Sequence, residues 1–326
     1  MGRSLAVVIV NYRTAGLVID CLRSLAPEVA TLPQTNVVVV DNASGDGSAE
    51  RIAAAVVAEG FDAWATVLPL PENRGFAAGN NAGLRHLRVA DRGAARWFLL
   101  LNPDTIVRPG ALAALVARGE SEPRVGVVGS RLEHPDGTPQ VSTFRFHGLA
   151  NQLDEALSLG LASRLLARWA LVVPIPSAAC RVDWVSGASL LVRREVLDDV
   201  GLLDEGYFLY YEEVDLCLRA ARAGWRCHYE PASRVVHLVG RSTGVDPSRT
   251  ARRMPGYVLD SRRRYLVKNH GRGYAALADL LWIGGHLTWR LRMFLQGRTD
   301  RADRGVLREF LTRSALLPGR RSRSAQ

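Results

Sequence analysis

Asn102-Pro103-Asp104 closes the apolar run Trp97-Phe98-Leu99-Leu100-Leu101 and opens a turn. A carboxylate at the end of a buried strand stands where an open α/β sheet holds its ligands. Asp104 is therefore a candidate ligand for a divalent cation that in turn binds a diphosphate. The competing role is a cap for a helix beginning near Pro109. Asp41-Asn42 ends a second apolar run, Val37-Val40, and a Ser/Gly turn follows it. There a carboxylate can accept from a nucleobase N–H or a ribose hydroxyl, or cap the next helix. In Asn73-Arg74-Gly75-Phe76-Ala77-Ala78-Gly79-Asn80-Asn81, Arg74 at a helix start suits phosphate oxygens. Asn80 and Asn81, poor helix formers inside a helix, suggest side-chain roles.

Asp204 to Leu216 sets aromatic residues directly before the carboxylates Glu212, Glu213 and Asp215 at a helix start. Aromatic rings stack on sugar faces, and a carboxylate beside them can act as general base. A helix N-terminus helps keep that carboxylate ionised. Asp215 is also spaced to pair with Arg219 at i,i+4. His237 ends Val235-Val236-His237 and precedes the turn Gly240 to Gly244, but spacing alone does not select it among seven histidines.

These residues need a scaffold, and hydrophobic periodicity supplies one. Leu5-Val10, Val37-Val40, Ala65-Leu70 and Arg96-Leu101 read as buried strands. Helices are expected over 14–26, 49–59 and 77–89. Strand and helix alternating at short spacing predict a mainly parallel α/β sheet covered by helices. Further on, 132–146 reads as a hairpin around Asp136-Gly137, and 149–171 as an irregular helix. Asp183-Val192 resumes as strand and turn, Glu212-Ala223 is helical, and Arg226-Tyr229 and Arg234-His237 are short strands. Two or three helices and a disordered tail, 318–326, complete the chain.

The composition, 48% hydrophobic and 23% charged, is that of a soluble globular protein. The net charge of +10 is concentrated at one end. From Arg249 onward 18 Lys+Arg face 5 Asp+Glu, a net +13, so the first 248 residues carry −3. Such a segment points to an anionic surface. Four scattered cysteines without metal-ligand spacing suit a reducing compartment. Neither a convincing secretory signal nor an apolar run of membrane-spanning length is seen. The absence of G-x-G-x-x-G and G-x-x-x-x-G-K-[ST] disfavours dinucleotide oxidoreductases and P-loop enzymes.

Six segments in order resemble family 2 glycosyltransferases, inverting enzymes of the GT-A fold, and most closely their rhamnosyltransferase-like branch. They are Val8 to Tyr12, Val40 to Ser44, Asn73 to Phe76, Leu101 to Asp104, Trp184 to Ala188 and Tyr211 to Leu216. The resemblance implies a Rossmann-like catalytic domain over 1–245, donor-binding to about 130 and acceptor-binding beyond, with a basic helical extension over 246–317. It implies a nucleotide-sugar site containing Asn11, Asp41, Asn42, Arg74, Asn80, Asn102, Asp104, Trp184 and Gly187. Asp104 matches the last carboxylate of a metal-binding Asp-x-Asp motif in which Asn102 replaces the first, and His237 matches a histidine that completes the Mg²⁺ or Mn²⁺ site. Glu212-Glu213 matches a Glu-Asp motif whose second residue is the base. Glu213 is one methylene longer than that aspartate, so the choice between Glu213 and Glu212 stays open.

The activity implied is sugar transfer, with dTDP-rhamnose as first expectation and UDP-sugars as the alternative. The expected acceptor is a glycan or a polyprenyl-diphosphate-linked precursor of cell-surface polysaccharide. A sugar-phosphate nucleotidyltransferase would need a Gly-rich basic loop after the first strand, and Asn11 to Thr14 is not one. A non-catalytic carbohydrate- or nucleic-acid-binding protein is the remaining alternative. No nucleic-acid partner is expected, for want of a helix-turn-helix or an aromatic-basic sheet motif. Segment 274–296 is apolar and aromatic, with Arg290 and Arg292 near its end. It suits either a helix at a membrane interface or one packed on the catalytic domain. Cytoplasmic placement at the inner face of the cell membrane is the matching expectation.

Overall fold

The computed structural model describes residues 5–90, 95–157, 170–238, 255–297 and 305–317. Strands β1 (Leu5–Asn11), β2 (Thr35–Asp41), β3 (Ala65–Pro69) and β4 (Trp97–Leu101) run parallel in the order β3-β2-β1-β4. β1 and β4 are buried at every residue because helices cover both faces. Alternate side chains serve opposite faces. Leu5, Val7 and Ile9 join a core with Val18, Leu22 and Leu25 of α1 (Ala15–Thr31) and Ile52 of α2 (Ser48–Ala58). Val8, Val38 and Val40 meet α3 (Phe76–Ala90) at Gly83, where a Cβ would stand 2.5 Å from the Val8 side chain. Only glycine lets α3 lie that close.

The rest of the sheet is mixed. Before the antiparallel β10 come β5 (Thr105–Val107), β6 (Val125–Glu133) and β8 (Cys180–Val182) of this sheet, and β7 (Thr143–Phe144) and β9 (Trp184–Val185), which form a separate two-stranded sheet. β10 (Ser189–Arg193) lies antiparallel between β4 and β6. β11 (Arg226–His237) runs parallel to β6 and antiparallel to β5 and β8. The remaining helices are α4 (Ala111–Glu120), α5 (Leu149–Leu157), α6 (Arg194–Val200), α7 (Glu212–Arg222), α8 (Gly256–His270), α9 (Arg272–Leu295) and α10 (Val306–Arg313). The mixed α/β sheet covered by helices and the C-terminal helices match the expected architecture. Cys21, Cys217 and Cys227 are buried free thiols, and Cys180 is a half-buried one.

Three local expectations change. Asp136-Gly137 does form a turn, closed by the His134 N–H on Thr138 O (2.8 Å). The chain beyond it returns along β6 only briefly, through the antiparallel Glu133–Pro139 bridge and the Gln140 N–H on Leu132 O (2.8 Å), and then pairs as β7 with β9. The two short strands near the end are one strand, β11, irregular between Glu230 and Arg234. Asp104 does not cap α4. Glu28 of α1 does so, accepting the N–H groups of Gly110 (2.7 Å) and Leu112 (2.9 Å). The Gly240–Gly244 turn, positions 158–169 of the irregular helix and the 318–326 tail lie outside the described residues.

The chain divides into two compact units. One comprises Met1–Phe144, Val173–Phe208 and Glu212–Asp246; the other comprises Arg145–Val172, Leu209–Tyr211 and Pro247–Gln326. The second has its own buried centre, with Tyr265, Leu266, Ala275, Ala278 and Phe310 at 3% exposure or less. Within it Tyr210 and Tyr211 hold positive φ angles of 68° and 72°, a strained conformation for side-chain-bearing residues. Their rings pack on Tyr257 (6.2 Å between centroids) and on Tyr265 (5.5 Å) and His147 (4.9 Å).

Candidate active site

The C-terminal ends of β1, β2 and β4 share one edge of the sheet. Register pairs Asn11 with Asp41 and Ile9 with Leu101, so Asn102 to Asp104 leave the sheet beside Asn11. This edge lies where β1 is flanked by β2 on one side and β4 on the other, the position at which open α/β sheets bind ligands. Asn11 Nδ2 donates to Asp41 Oδ1 (2.6 Å) and to Ser44 Oγ (3.2 Å). Ser44 donates to the same carboxylate through Oγ (2.6 Å) and its N–H (3.1 Å). Asp41, only 4% exposed, is thereby fixed in orientation.

Asn42 Nδ2 donates to Asn73 Oδ1 (2.9 Å) and Gly75 O (3.1 Å), tying the β2 turn to the start of α3. Gly75 has φ +93°, and a Cβ there would stand 2.4 Å from Phe208 O, the acceptor of the Phe76 N–H (2.7 Å). Left-handed backbone costs a non-glycine residue about 1–2 kcal/mol, and forced overpacking about 1–3 kcal/mol. Gly75→Ala should therefore lower Tm by at least about 4 °C. An unchanged melting curve would contradict this close approach.

Arg74 is not an open cation. It pairs with Glu205 (3.3 Å), which also takes Arg85 (2.7 Å) and Asn81 Nδ2 (3.0 Å). Burial raises the Glu205 pKa, but the hydrogen bonds from Asn81 and Arg85 outweigh it and hold the carboxyl below its ordinary range. Asn81 also bonds Leu203 O (2.8 Å), and Asn80 Nδ2 bonds Phe76 O (2.9 Å). Both asparagines thus fasten the α3 start.

Beyond β4, the Asn102 N–H donates to Ala188 O (3.0 Å). Antiparallel pairing of β5 with β11 sets Thr105 opposite His237, and the Leu238 N–H donates to Asp104 O (2.9 Å). The Asp104 carboxylate, 1% exposed, consequently lies 3.6 Å from His237 Nε2. Burial lowers the His237 pKa more than the Asp104 charge raises it, so the imidazole is neutral near pH 7. Neutral imidazole is the form that ligates metals.

Glu212, buried, and Glu213, half-buried, open α7 side by side. The N–H groups of Glu213, Val214 and Gly187 favour an ionised Glu213, although burial outweighs them and raises its pKa. Burial and the charge of Glu213 push Glu212 well above the ordinary carboxyl range. Oε2 of each has no hydrogen-bond partner among the described residues. Gly187 passes directly against Glu213, its absent Cβ lying 3.6 Å from the Glu213 Cβ and Cγ. Trp184 is buried and stacks on Phe144 (4.1 Å between centroids, 14°). Asp215 belongs to the frame: it accepts from Arg219 Nε (2.8 Å) and Tyr207 OH (3.3 Å), while Arg219 also holds the carbonyls of Val200 and Leu202. Tyr207 is fully buried, so the expected sugar-stacking role does not fall to that ring. Ser44 and Glu205 are the organising residues that residue-type reasoning missed. Ser44 lay within a segment that carried the resemblance, and Glu205 within the aromatic-acidic segment.

Among the described residues no group of three or more His, Cys, Asp and Glu side chains is placed to hold a metal ion. Asp104 and His237 supply two donors, and hard divalent cations commonly complete such a shell with substrate phosphate and water. The residues fit a cation shared with a diphosphate better than one held by protein alone.

The family model described as "Glycosyltransferase like family 2" matches residues 2–256. An N-acetylglucosaminyl-diphospho-decaprenol L-rhamnosyltransferase of Mycobacterium tuberculosis is 30% identical, covering 96% of this chain and 97% of its own. Rhamnosyltransferase WbbL of Escherichia coli is 31% identical over 60% of this chain and 70% of its own. Among solved structures, a mannosyltransferase of Pyrobaculum calidifontis in complex with GDP-Man and Mn²⁺ aligns with TM-score 0.56 at 17% identity, covering 97% of this chain and 81% of its own. S. aureus TarS 1-349 in complex with UDP-GlcNAc aligns with TM-score 0.56 at 14% identity, covering 95% and 79%. The chain belongs to glycosyltransferase family 2, in its rhamnosyltransferase-like branch, and is a glycosyltransferase of the GT-A fold.

Proposed function

We propose that the enzyme transfers L-rhamnose from dTDP-rhamnose to a polyprenyl-diphosphate-linked N-acetylglucosamine, at the inner face of the cell membrane. The donor and acceptor follow the printed activity of the M. tuberculosis relative, which matches nearly the whole chain. The observation that carries the chemistry is Glu213, a half-buried carboxylate steadied by three backbone N–H groups with Oε2 unpartnered among the described residues. The acceptor hydroxyl gives its proton to Glu213 as its oxygen attacks the anomeric carbon. The bond from that carbon to the diphosphate oxygen breaks, the configuration inverts, and no covalent enzyme intermediate forms. Burial and the charge of Glu213 favour the protonated form of Glu212 beside it.

Asp41, oriented by Asn11 and Ser44, addresses the nucleoside, and Asn42 fixes the adjoining turn. Asp104 and His237 would hold a Mg²⁺ or Mn²⁺ ion, whose charge offsets that gathering on the departing diphosphate. Asn102 contributes no charge to this site, which leaves Asp104 as its one anionic ligand.

A thermal-shift series tests the donor. At a hundredfold excess over Kd, a ligand of the native state adds about 2.7 kcal/mol. The expected result is a rise in Tm with dTDP-rhamnose that Mn²⁺ enlarges. A larger rise with UDP-sugars would replace the donor, and no rise with any nucleotide sugar would overturn the reading.

A further inference from the structure

Helix α9 carries a continuous apolar face exposed to solvent. Leu277, Leu280, Leu287, Leu291, Phe294 and Leu295 are 46, 54, 49, 58, 80 and 75% exposed. At 3.6 residues per turn they occupy an arc of about 100° and a length of about 27 Å. Gly273, Gly284 and Thr288 lie within or beside the same arc, so no charge interrupts the stripe. Isolated exposed leucines are ordinary, whereas an unbroken stripe of this length marks an interaction site. The other side of the helix is committed to its own unit: Ala275, Ala278, Asp279 and Gly285 are buried and Trp282 stacks on Phe310 (3.9 Å).

The flanks are cationic. Arg272 and Arg290 border the stripe on one side and Arg292 on the other, by the same helical arithmetic. The helix has one acid, Asp279, and it is buried against Arg262 (2.5 Å) and the Ala315 N–H (2.6 Å). Across residues 255–297 seven Lys+Arg face two acids, Asp279 and Asp260, and Asp260 pairs with Arg313. No described helix is long and apolar enough to cross a membrane.

We propose that this face of α9 docks the protein on an anionic lipid membrane, lying flat at the headgroup–acyl boundary with its flanking arginines reaching phosphates. Apolar stripe, cationic borders and lack of exposed acid are together the pattern of an interfacial helix. The spacing 277, 280, 284, 287, 291, 294 would also suit a coiled-coil seam with a second copy. Charge decides between them. A second copy would bring arginine borders beside arginine borders, a like-charge juxtaposition, whereas anionic lipid presents the opposite charge. Docking does not depend on the sugar chemistry; its benefit, access to a lipid-linked acceptor, rests on the function proposed above.

The test is flotation of the full chain with phosphatidylcholine vesicles, with and without phosphatidylglycerol. Binding should require phosphatidylglycerol and weaken at high salt. The variant Leu287→Glu/Leu291→Glu/Phe294→Glu should lose about tenfold in bound fraction, with its Tm and its response to the nucleotide sugar retained. A second variant, Arg290→Glu/Arg292→Glu, keeps the apolar face and should lose the dependence on anionic lipid. Vesicle binding unchanged in both variants overturns the proposal. So does a chain that ignores vesicles but sediments as a dimer, converted to monomer by the triple variant. Intact flotation without any donor response would leave docking standing and remove only the donor assignment.

Discussion

Glu213→Gln is expected to lower kcat by about 10²–10⁴-fold, the range for loss of a general base, while the thermal shift with the donor persists. Glutamine keeps the shape and an oxygen to accept the Gly187, Glu213 and Val214 N–H groups, but it cannot take a proton. Glu212→Gln should spare most turnover, because a residue already neutral is exchanged for a neutral one. Equal losses at the two positions would contradict the division of roles. Activity should fall as pH drops through the raised pKa of Glu213, above the ordinary carboxyl value of 4.5.

The same residue pair makes a stability prediction of opposite sense. The folded-state pKa of Glu212 is raised by burial and then by the Glu213 charge. Its stabilising contribution is therefore complete below the unfolded value near 4.5 and is lost as pH rises through the folded one. Glu212→Gln has no proton to lose, so its Tm should decline less than that of the parent from acidic to alkaline pH. Parallel declines would count against a neutral Glu212.

Asp104→Ala is the second large effect. The side chain lies 3.6 Å from His237 Nε2 at the β5–β11 edge, and its loss removes the anionic ligand of the proposed cation. Turnover should fall by about 10²–10³-fold, as when one preorganised electrostatic group of an active site is deleted, and added Mn²⁺ should no longer restore it. Mn²⁺ binding in the presence of dTDP, followed calorimetrically, should weaken in parallel. Asn102→Asp should act in the other direction, tightening Mn²⁺ by adding a second charge. If Asp104→Ala keeps full metal-dependent turnover, the role given to that turn is wrong.

The parallel strands were legible because Leu5-Val10, Val37-Val40 and Phe98-Leu101 are apolar runs buried on both faces, a pattern that helices seldom repeat at this length. Asp41 and Asp104 followed from where those runs stop. The approach of His237 to Asp104 was not readable from spacing, because it depends on antiparallel pairing of a three-residue strand, β5, with the end of β11. Resemblance named His237; periodicity did not. Glu28 as the cap of α4 was equally invisible, since a buried carboxylate on one helix serves another far along the chain. The aromatic residues before α7 misled residue-type reasoning: Tyr207 has the composition of a sugar platform and the burial of a core residue. The Asp136-Gly137 turn and its short return along β6 were legible, but the pairing of β7 with β9 was not, because a turn signal specifies the reversal and tertiary packing chooses what pairs afterwards.

The central claim is direct sugar transfer with inversion at the edge built from Asp41, Asp104, His237 and Glu213. Its most direct test is NMR assignment of the anomeric configuration of the first-formed product from dTDP-rhamnose and a polyprenyl-diphosphate-linked N-acetylglucosamine with Mn²⁺. The account predicts a rhamnosylated lipid whose anomeric configuration is opposite to that of the donor, formed by the parent chain and absent with Glu213→Gln. A product that retains the donor configuration, or one formed equally well without Glu213, would contradict it.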